Sequence, residues 1–212
     1  MIKAVIFDLD NTLYDENTYF LKVFEKFSNL HGLNYNIFKE AFTDSFRLKS
    51  KDIFSDLLII QNYNSNSNQK ELFELYKTIN CNIKLYNEAY KILNYLKKKK
   101  IKKIIITNGS VVSQKNKVKL LNLEKYIDEV IYAREFGKNF EKPNTKPFLE
   151  AIKLLNIKTN EAIYVGDHPY TDIKGANKSG IKALRFLNGY ASGINYSHNE
   201  NIKSLIEIKK YV

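Results

Sequence analysis

The chain has 212 residues, of which 44% are hydrophobic and 27% are charged, and its formal net charge is +11. This composition is typical of a globular chain with one core and a modest insertion, or with two small domains. No apolar run approaches the roughly 20 residues that a membrane-spanning helix needs. A single cysteine, Cys81, excludes a disulfide scaffold and a cysteine-based metal site. The N-terminal segment carries Asp8 early and is not a signal peptide, so we expect a cytoplasmic protein without a membrane partner.

The first predicted element is a strand from Ile2 to Phe7, and two carboxylates follow it directly. Asp8 and Asp10 lie in the stretch AVIFDLDNTLYDE, at the point where the apolar run stops. Like charges this close together destabilise a fold unless a cation joins them. We therefore expect the rest of the chain to bring positive charge to the end of this strand.

Residues 15–84 interrupt the strand pattern. Helix-like segments rich in Phe, Leu and Lys follow one another there, and the Asn/Ser-rich stretch from Gln61 to Lys70 divides them as a loop. About 70 residues are too many for a plain crossover between strands. We predict that residues 15–84 form an inserted small helical-bundle cap domain, and that residues 1–14 and 85–212 form the core.

Beyond the insertion, strand patterns alternate with helix patterns. The strands are predicted at residues 102–107, 128–133, 162–166 and 182–187, and the helices at residues 86–100, 111–121, 146–156 and 171–179. The strand segments are dense in Val and Ile, which is typical of parallel strands that are covered on both faces. This pattern predicts an α/β fold with a doubly wound, Rossmann-like parallel sheet.

Polar residues follow several of these strands, and in an open α/β sheet ligands bind at that edge. The turn Thr107–Ser110 follows the second strand and leads into a helix, whose N-terminus presents N–H groups to anions. Asp167 and Asp172 follow the fourth strand, and Lys142 precedes it. With the two carboxylates after the first strand, this set suits a phosphoryl group.

Carboxylate oxygens are the ligands that magnesium prefers. Asp8, Asp10 and Asp167 offer such oxygens, so Mg2+ is the predicted cofactor. Lys142 adds a fixed positive charge to the same edge. A carboxylate at the centre of this site can attack phosphorus and form an aspartyl-phosphate.

Four stretches of the sequence resemble the four motifs of the haloacid dehalogenase (HAD) superfamily, in the order of that family. They are DLDNT, ITNGS, KPNTKPF and GDHPYTD, and they span nearly the whole predicted core. The insertion after the first motif resembles the helical cap of the first structural subclass. The resemblance implies a role for each motif residue.

In the first and fourth motifs, the resemblance implies a nucleophile, a general acid and the ligands of a metal ion. Asp8 would take the phosphoryl group and bind magnesium. Asp10 would protonate the leaving oxygen, later activate water, and bind magnesium through its backbone carbonyl. Asp167 would complete the metal site. Asp172 would orient Lys142 or a metal-bound water from behind these ligands, although it could also simply cap the helix that follows.

In the second and third motifs, the resemblance implies phosphate ligands. Thr107 would donate to the phosphoryl oxygens, with Asn108 and Gly109 in the same turn, and Lys142 would offset negative charge on the nucleophile and the transferred group. The segment before the third motif is longer than usual, so Lys138 or Lys146 could be taken for the motif lysine. We assign Lys142, because a proline follows it and the later motif positions fit.

Asp10 separates two activities within the superfamily. Members that cleave carbon–halogen bonds do not need an acid two residues after the nucleophile, so an aspartate there favours hydrolysis of phosphate esters. We therefore predict a magnesium-dependent phosphatase that hydrolyses a small phosphorylated metabolite, a sugar phosphate or nucleoside monophosphate, through an aspartyl-phosphate. A phosphomutase on a sugar phosphate and a non-catalytic phosphate-binding module remain alternatives.

Specificity is expected to come from the insertion, because the chemistry of the core is generic. Arg47 and Lys49 are candidates to contact an anionic substrate, with a solvent-facing helix as the alternative, and His168 is a candidate to line the substrate site. The lysines are spread along the chain, and the dense run from Leu96 to Lys103 lies where a helix ends, so we expect no nucleic-acid partner. The protein is expected to be a monomer or a homodimer.

Overall fold

The computed structural model describes residues 1–198 and 200–212 and divides into two compact units. The first unit comprises Met1–Asp15 and Lys84–Val212, and the second comprises Glu16–Ile83. The predicted boundaries of the core and the insertion lie within one residue of these. In the described part of the chain, no helix is both long enough and apolar enough to span a membrane.

A parallel sheet of six strands forms the centre of the first unit. In chain order the strands are β1 (Ala4–Phe7), β2 (Lys102–Thr107), β3 (Glu129–Tyr132), β4 (Ala162–Gly166), β5 (Lys182–Phe186) and β6 (Asn201–Ile202). Their order in the sheet is β3-β2-β1-β4-β5-β6, and each neighbouring pair is parallel. The predicted doubly wound parallel sheet is therefore confirmed. β6 was not predicted, because two residues are too short to show a strand pattern.

β1 lies between β2 and β4, and its four residues are fully buried. Its last residue, Phe7, pairs with Ile105 on one side and Val165 on the other. The chain fills one half of the sheet with β2 and β3 before it crosses to β4, so the order reverses between β1 and β4. The carboxyl ends of these two strands therefore border the crevice in which such sheets bind ligands.

Nine α-helices lie in the described residues. They are α1 (Glu16–His31), α2 (Tyr35–Ala41), α3 (Asp44–Lys49), α4 (Ile53–Ile60), α5 (Asn66–Thr78), α6 (Asn87–Lys98), α7 (Val111–Leu120), α8 (Lys146–Leu155) and α9 (Lys174–Lys178). The core of the first unit joins Phe148 of α8 and Ala176 of α9 to Ile6 and Ile104 of the sheet. These contacts bury the apolar face of each helix against the sheet.

The last predicted helix, residues 171–179, differs from what the structure shows. The chain first forms a π-helical turn, Pro169–Ile173, and only then the short helix α9. Pro169 lacks a backbone N–H and the side chain of Asp172 bonds to the backbone of His168, so the regular helical ladder starts late.

The second unit consists of the five helices α1–α5. Side chains of Asn34, Thr43, Asp52 and Ser65 cap the starts of α2, α3, α4 and α5. Aromatic residues form much of its buried interior: Tyr19, Phe20, Phe24 and Phe27 in α1 and Phe38 in α2. The predicted loop at residues 61–70 is shorter in the structure, because Ser65 already caps α5.

Candidate active site

Asp8, the first residue after β1, is buried at the carboxyl end of the sheet. Its backbone N–H donates to the carbonyl oxygen of Val165 in β4 at 2.8 Å, so strand pairing continues past the end of β1. The residue is 7% exposed. The sheet thus fixes the backbone of the predicted nucleophile, and a carboxylate this deeply buried requires a charged or hydrogen-bonded partner.

Lys142 is that partner. Its Nζ donates to Asp8 Oδ1 at 2.6 Å, to Asp172 Oδ1 at 2.6 Å and to the hydroxyl oxygen of Tyr164 at 2.9 Å. The Tyr164 hydroxyl donates in turn to Asp172 Oδ1 at 2.8 Å. Burial lowers the pKa of Lys142, but the carboxylates of Asp172 and Asp8 raise it beyond its usual value, so the ammonium stays charged.

Of the three lysines considered for the third motif, the structure brings Lys142 to Asp8. Lys138 and Lys146 are exposed, and Lys146 pairs with Glu150 at 3.1 Å. The geometry therefore supports Lys142 as the motif lysine, which was assigned because Pro143 follows it.

The backbone of Lys142 is held by the turn that follows β2. Asn108 Oδ1 accepts from the Lys142 N–H at 2.8 Å, and Asn108 Nδ2 donates to the Lys142 carbonyl oxygen at 3.0 Å. The N–H of Gly109 donates to Glu141 Oε1 at 2.5 Å, and Arg134 donates to the same carboxylate. Three hydrogen bonds therefore join this turn to the segment that carries the lysine.

Asn108 and Gly109 were predicted to bind phosphoryl oxygens, and the structure gives them other partners. The Asn108 side chain positions the backbone of Lys142, and the Gly109 N–H binds the carboxylate of Glu141. A carboxylate at this N–H indicates that the turn attracts anions. Gly109 has φ = 100°, which glycine adopts without strain. Contact of this backbone with phosphate stays a prediction.

Asp172 reaches Lys142 because Gly166 leaves room for it. A Cβ atom on Gly166 would lie 2.6 Å from Asp172 Cγ, which is too close for two carbon atoms. Asp172 Oδ2 also accepts from the backbone N–H of His168 at 3.1 Å. Asp172 therefore makes both kinds of contact that the sequence left open: it binds Lys142, and it caps the turn after β4.

Three buried carboxylates at this edge have the chemistry of a metal site. Ligand oxygens of Asp8, Asp167 and Asp172 all lie within 4.8 Å of one another. Among the described residues, the buried Asp167 Oδ2 has no hydrogen-bond partner. Burial raises the pKa of Asp8 and of Asp167, and the carboxylate of Asp172 raises both further. A divalent cation that prefers oxygen ligands would offset this crowding, so the residues fit Mg2+.

Asp10 has its own set of partners. Its Oδ1 accepts from Lys117 Nζ at 2.8 Å and from the Tyr14 hydroxyl at 2.6 Å, and its Oδ2 accepts from Gln114 Nε2 at 2.7 Å. Lys117 is fully buried, whereas the Asp10 side chain is 18% exposed. Gln114 Nε2 also donates to Thr107 Oγ1 at 2.7 Å, so one amide contacts both the predicted acid and the predicted phosphate ligand.

Sequence patterns alone did not single out three residues that contact the candidate site: Tyr164, Gln114 and Lys117. Tyr164 lies in an apolar strand pattern, in which a tyrosine needs no special explanation. Lys117 alternates with the exposed Lys115 and Lys119 along α7, so it resembles an ordinary surface lysine. The available signal was the spacing of Gln114 and Lys117, which are three residues apart and therefore share one face of the helix.

The three candidates for substrate specificity lie in different surroundings. In the second unit, the buried Arg47 donates to Glu16 Oε2 at 2.5 Å and to Asn17 Oδ1 at 2.6 Å. Lys49 is exposed at the end of α3. His168, in the first unit, follows Asp167 directly, and burial lowers its pKa. A substrate role for these residues stays a prediction.

Comparisons with known proteins agree on a family. The model of the family described as haloacid dehalogenase-like hydrolase matches residues 5–186. Among curated proteins, the glyceraldehyde 3-phosphate phosphatase of Methanopyrus kandleri is 30% identical over 210 residues, which cover 89% of this chain and 85% of that protein. The predicted resemblance to the HAD superfamily is confirmed by these matches.

Solved structures share the fold over nearly the whole chain. The 2-haloacid dehalogenase of Pseudomonas syringae pv. Tomato aligns with a TM-score of 0.65 at 25% identity, covering 99% of this chain and 97% of that one. The HAD-hydrolase YfnB from Bacillus subtilis, bound to magnesium, aligns with a TM-score of 0.74 at 17% identity, covering 99% and 98%. At that identity the second match supports the fold alone.

Proposed function

This chain belongs to the haloacid dehalogenase-like hydrolases, and from that premise we propose that it is a magnesium-dependent phosphatase acting on a small phosphorylated metabolite. The observation that carries the proposal is the contact of Lys142 with Asp8 at 2.6 Å, beside the buried carboxylate of Asp167. A nucleophile held by a fixed cation suits a phosphoryl group, whose transfer is accelerated by positioning and by positive charge.

The proposed reaction has two steps at Asp8. In the first, a carboxylate oxygen of Asp8 attacks phosphorus, the bond between phosphorus and the leaving oxygen breaks, and Asp10 gives that oxygen a proton. In the second, Asp10 takes a proton from a water molecule, whose oxygen attacks phosphorus. The bond between Asp8 and phosphorus then breaks, and inorganic phosphate leaves with both aspartates restored.

Thr107 and Lys142 would hold the transferred group. The Thr107 oxygen accepts from Gln114 Nε2 at 2.7 Å, and its own hydroxyl donates to the Asn108 carbonyl oxygen at 3.4 Å. That second hydrogen bond is long, and a phosphoryl oxygen would replace the carbonyl as its acceptor. Lys142 contacts the nucleophile directly, so its charge lies next to the phosphoryl group as the new bond forms. Asp172 keeps Lys142 in place through its contact at 2.6 Å.

Asp8, Asp167 and the backbone carbonyl of Asp10 would hold the magnesium ion. When bound, the ion supplies positive charge beside the transferred phosphoryl oxygens. The raised pKa of Asp8 and of Asp167 supports this assignment. It means that the charged forms of these carboxyl groups are destabilised in the folded protein, and a bound cation would stabilise them.

The substrate class is proposed from the relatives and from the chain itself. The relative from Methanopyrus kandleri is named for a triose phosphate, which supports a small phosphorylated carbohydrate, and nucleoside monophosphates remain within the proposal. The aspartate at position 10 supports ester hydrolysis over cleavage of a carbon–halogen bond. We propose that the helical unit Glu16–Ile83 acts as the cap that selects the leaving group, with Arg47 and Lys49 as candidate contacts.

The test is phosphate release from a panel of triose phosphates, hexose phosphates, nucleoside monophosphates and phosphoglycolate, with magnesium and with a chelator. Wild type, Asp8→Asn and a matched control, Asp44→Asn at an exposed position of α3, are compared. We expect turnover that needs magnesium and falls about 10⁴-fold or more in Asp8→Asn, with Asp44→Asn unchanged.

Two outcomes would contradict the proposal. Turnover that survives Asp8→Asn would remove the aspartyl-phosphate step. No release from any compound by folded wild-type protein would overturn the phosphatase, and transfer of phosphate within a sugar phosphate would then identify a phosphomutase.

A further inference from the structure

The buried face of α7 is polar, whereas the buried face of a helix is usually apolar. Its buried residues are Ser113, Gln114, Lys117 and Val118. Lys117 is fully buried, and a buried ammonium destabilises a fold unless a carboxylate and further hydrogen bonds compensate for lost water. The contacts of Lys117 should therefore show what stabilises its charge on this buried face.

Asp10 is a partner that Lys117 shares with Gln114. Lys117 Nζ lies 2.8 Å from Asp10 Oδ1, and Gln114 Nε2 lies 2.7 Å from Asp10 Oδ2. The two α7 residues are one turn apart, so each binds a different oxygen of the same carboxylate. The Tyr14 hydroxyl adds a third contact, 2.6 Å from Oδ1. A carboxylate with donors on both oxygens is restricted in rotation about its side-chain bonds.

We propose that Lys117 and Gln114 are positioning residues that hold the side-chain carboxyl group of Asp10, which carries the proton in the first step, in the orientation needed to give that proton to the leaving oxygen. The inference rests on the proposed function, in which Asp10 is the acid. Gln114 Nε2 also lies 2.7 Å from Thr107 Oγ1 and 2.6 Å from the Asn108 carbonyl oxygen, so its two hydrogens are shared among three acceptors. The same amide therefore sets Asp10 relative to the proposed phosphate ligand. Neither residue needs to touch the substrate for this role.

The role differs from that of Lys142, which contacts the nucleophile. Loss of Lys142 should impair transfer from every substrate, because Asp8 attacks in each of them. Loss of Lys117 should impair transfer only where the leaving oxygen needs a proton. An alkoxide is a poor leaving group and needs the acid, whereas p-nitrophenolate leaves without one.

The test is therefore the ratio of kcat/KM for p-nitrophenyl phosphate to kcat/KM for the best alkyl phosphate of the panel. For such an enzyme kcat/KM reports the steps through phosphoryl transfer to Asp8, where the leaving group departs. Both values come from one preparation, so the ratio does not depend on how much of a variant is folded. Lys117→Met, Gln114→Leu and Asp10→Asn are compared with wild type, and Lys119→Met, exposed on the same helix, is the matched control.

We expect Asp10→Asn to raise the ratio by about 10²- to 10⁴-fold, the usual contribution of a general acid. Lys117→Met and Gln114→Leu should raise it in the same direction by about 10- to 100-fold, as partners of site residues usually do. Lys117→Arg, which keeps the charge, should restore part of the loss. Lys119→Met should match wild type.

A ratio that stays at the wild-type value in Lys117→Met and Gln114→Leu, while Asp10→Asn raises it, would overturn the inference and leave the two residues a structural role only. A ratio that Asp10→Asn does not change would overturn it as well, because Asp10 would then not be the acid. Failure of the proposed function is distinguishable, since wild type would then release phosphate from neither compound.

Discussion

Two buried lysines of the first unit, Lys142 and Lys117, hold the two carboxylates that follow β1, and they do so in different ways. Lys142 lies in an irregular segment and contacts two aspartates, Asp8 and Asp172, each at 2.6 Å. Lys117 lies inside a regular helix and contacts Asp10 at 2.8 Å. The first pair is almost fully buried, whereas the Asp10 side chain keeps some exposure to water.

The difference explains how two like charges can lie two residues apart and still suit the two different roles proposed for them. Each carboxylate has its own cation, so the charge of one is compensated without using the partner of the other. A rigid, buried cation would hold the proposed nucleophile, Asp8, in position for attack on phosphorus. An acid and base that exchanges protons with water gains from partial exposure. The comparison predicts different consequences when each cluster is disturbed.

The largest effect is expected from Lys142→Met. It leaves Asp8 and Asp172 without their cation, and the free energy of unfolding should fall by about 3–5 kcal/mol, as for other buried pairs that lose one partner. Turnover should fall about 10²- to 10³-fold for aryl and alkyl phosphates alike. Urea unfolding and the two-substrate assay measure the two losses.

Lys117→Met is the control for Lys142→Met, because it removes the other buried lysine. Its effect on unfolding should be smaller, because Asp10 is partly exposed and keeps the Gln114 and Tyr14 donors. If Lys117→Met destabilised the protein as much as Lys142→Met does, the distinction between the two clusters would be wrong.

The two lysines also show how far the sequence could predict the site. Lys142 was predicted because a proline follows it and because its motif resembles one of a known family, and the geometry brings it to Asp8. Lys117 was missed because three lysines, Lys115, Lys117 and Lys119, alternate along α7, and only the packing of the helix shows which of them is buried. Contact of Asn108 with phosphate stays a prediction. Its motif is visible in the sequence, but the hydrogen bonds of its amide with the Lys142 backbone are not.

The fold was predictable to a greater extent than these contacts. The order of strands and helices, the parallel sheet and the place of the helical insertion follow from apolar runs, which the sequence shows directly. The predicted HAD-like phosphatase is confirmed at the level of the family and of its named relatives. The π-helical turn after β4 and the two-residue strand β6 were missed, because both depend on contacts with distant residues.

Magnesium should stabilise the protein more at about pH 8 than at about pH 5.5. In the metal-free protein the pKa of Asp8 rises from the ordinary value near 4 to about 8, chiefly through burial. The folded state therefore holds more protons than the unfolded state between these values, so its stability falls as pH rises through them. A bound cation offsets the same charge and should add about 2.7 kcal/mol at 100 times its Kd.

The measurement is the thermal midpoint with and without magnesium at both pH values. Asp167→Asn, which removes a proposed ligand, should reduce the gain at about pH 8 far more than the exposed control Asp44→Asn. A gain that is equal at both pH values, or larger at the acidic one, would contradict the assignment of the carboxylates to the metal.

Asn108→Ala tests whether Lys142 needs its backbone held. The change removes the hydrogen bonds at 2.8 and 3.0 Å to the Lys142 N–H and carbonyl. Stability should fall by about 1–2 kcal/mol, and kcat should fall about tenfold, as for other supporting residues. Asn94→Ala, at an exposed position of α6, is the control. A large rise in KM with unchanged kcat would indicate that Asn108 binds the substrate instead.

The smallest effect is expected from Tyr164→Phe. The ring keeps its packing against Phe148, and only the hydroxyl between Lys142 and Asp172 is lost, so the free energy of unfolding should fall by about 1 kcal/mol. Tyr170→Phe, at a tyrosine that is 49% exposed, should change nothing measurable.

Combining Tyr164→Phe with each lysine variant sharpens the comparison further. Tyr164 contacts Lys142 directly, so Tyr164→Phe should destabilise Lys142→Met by a different amount than it destabilises wild type, with a coupling of about 0.5 kcal/mol or more. Lys117 binds a different carboxylate, so Tyr164→Phe and Lys117→Met should be additive. If each carboxylate has a separate cation, removing the Tyr164 hydroxyl beside Lys142 should not alter the effect of Lys117→Met. Equal coupling to both lysines would therefore mean that Asp8 and Asp10 belong to one hydrogen-bond network.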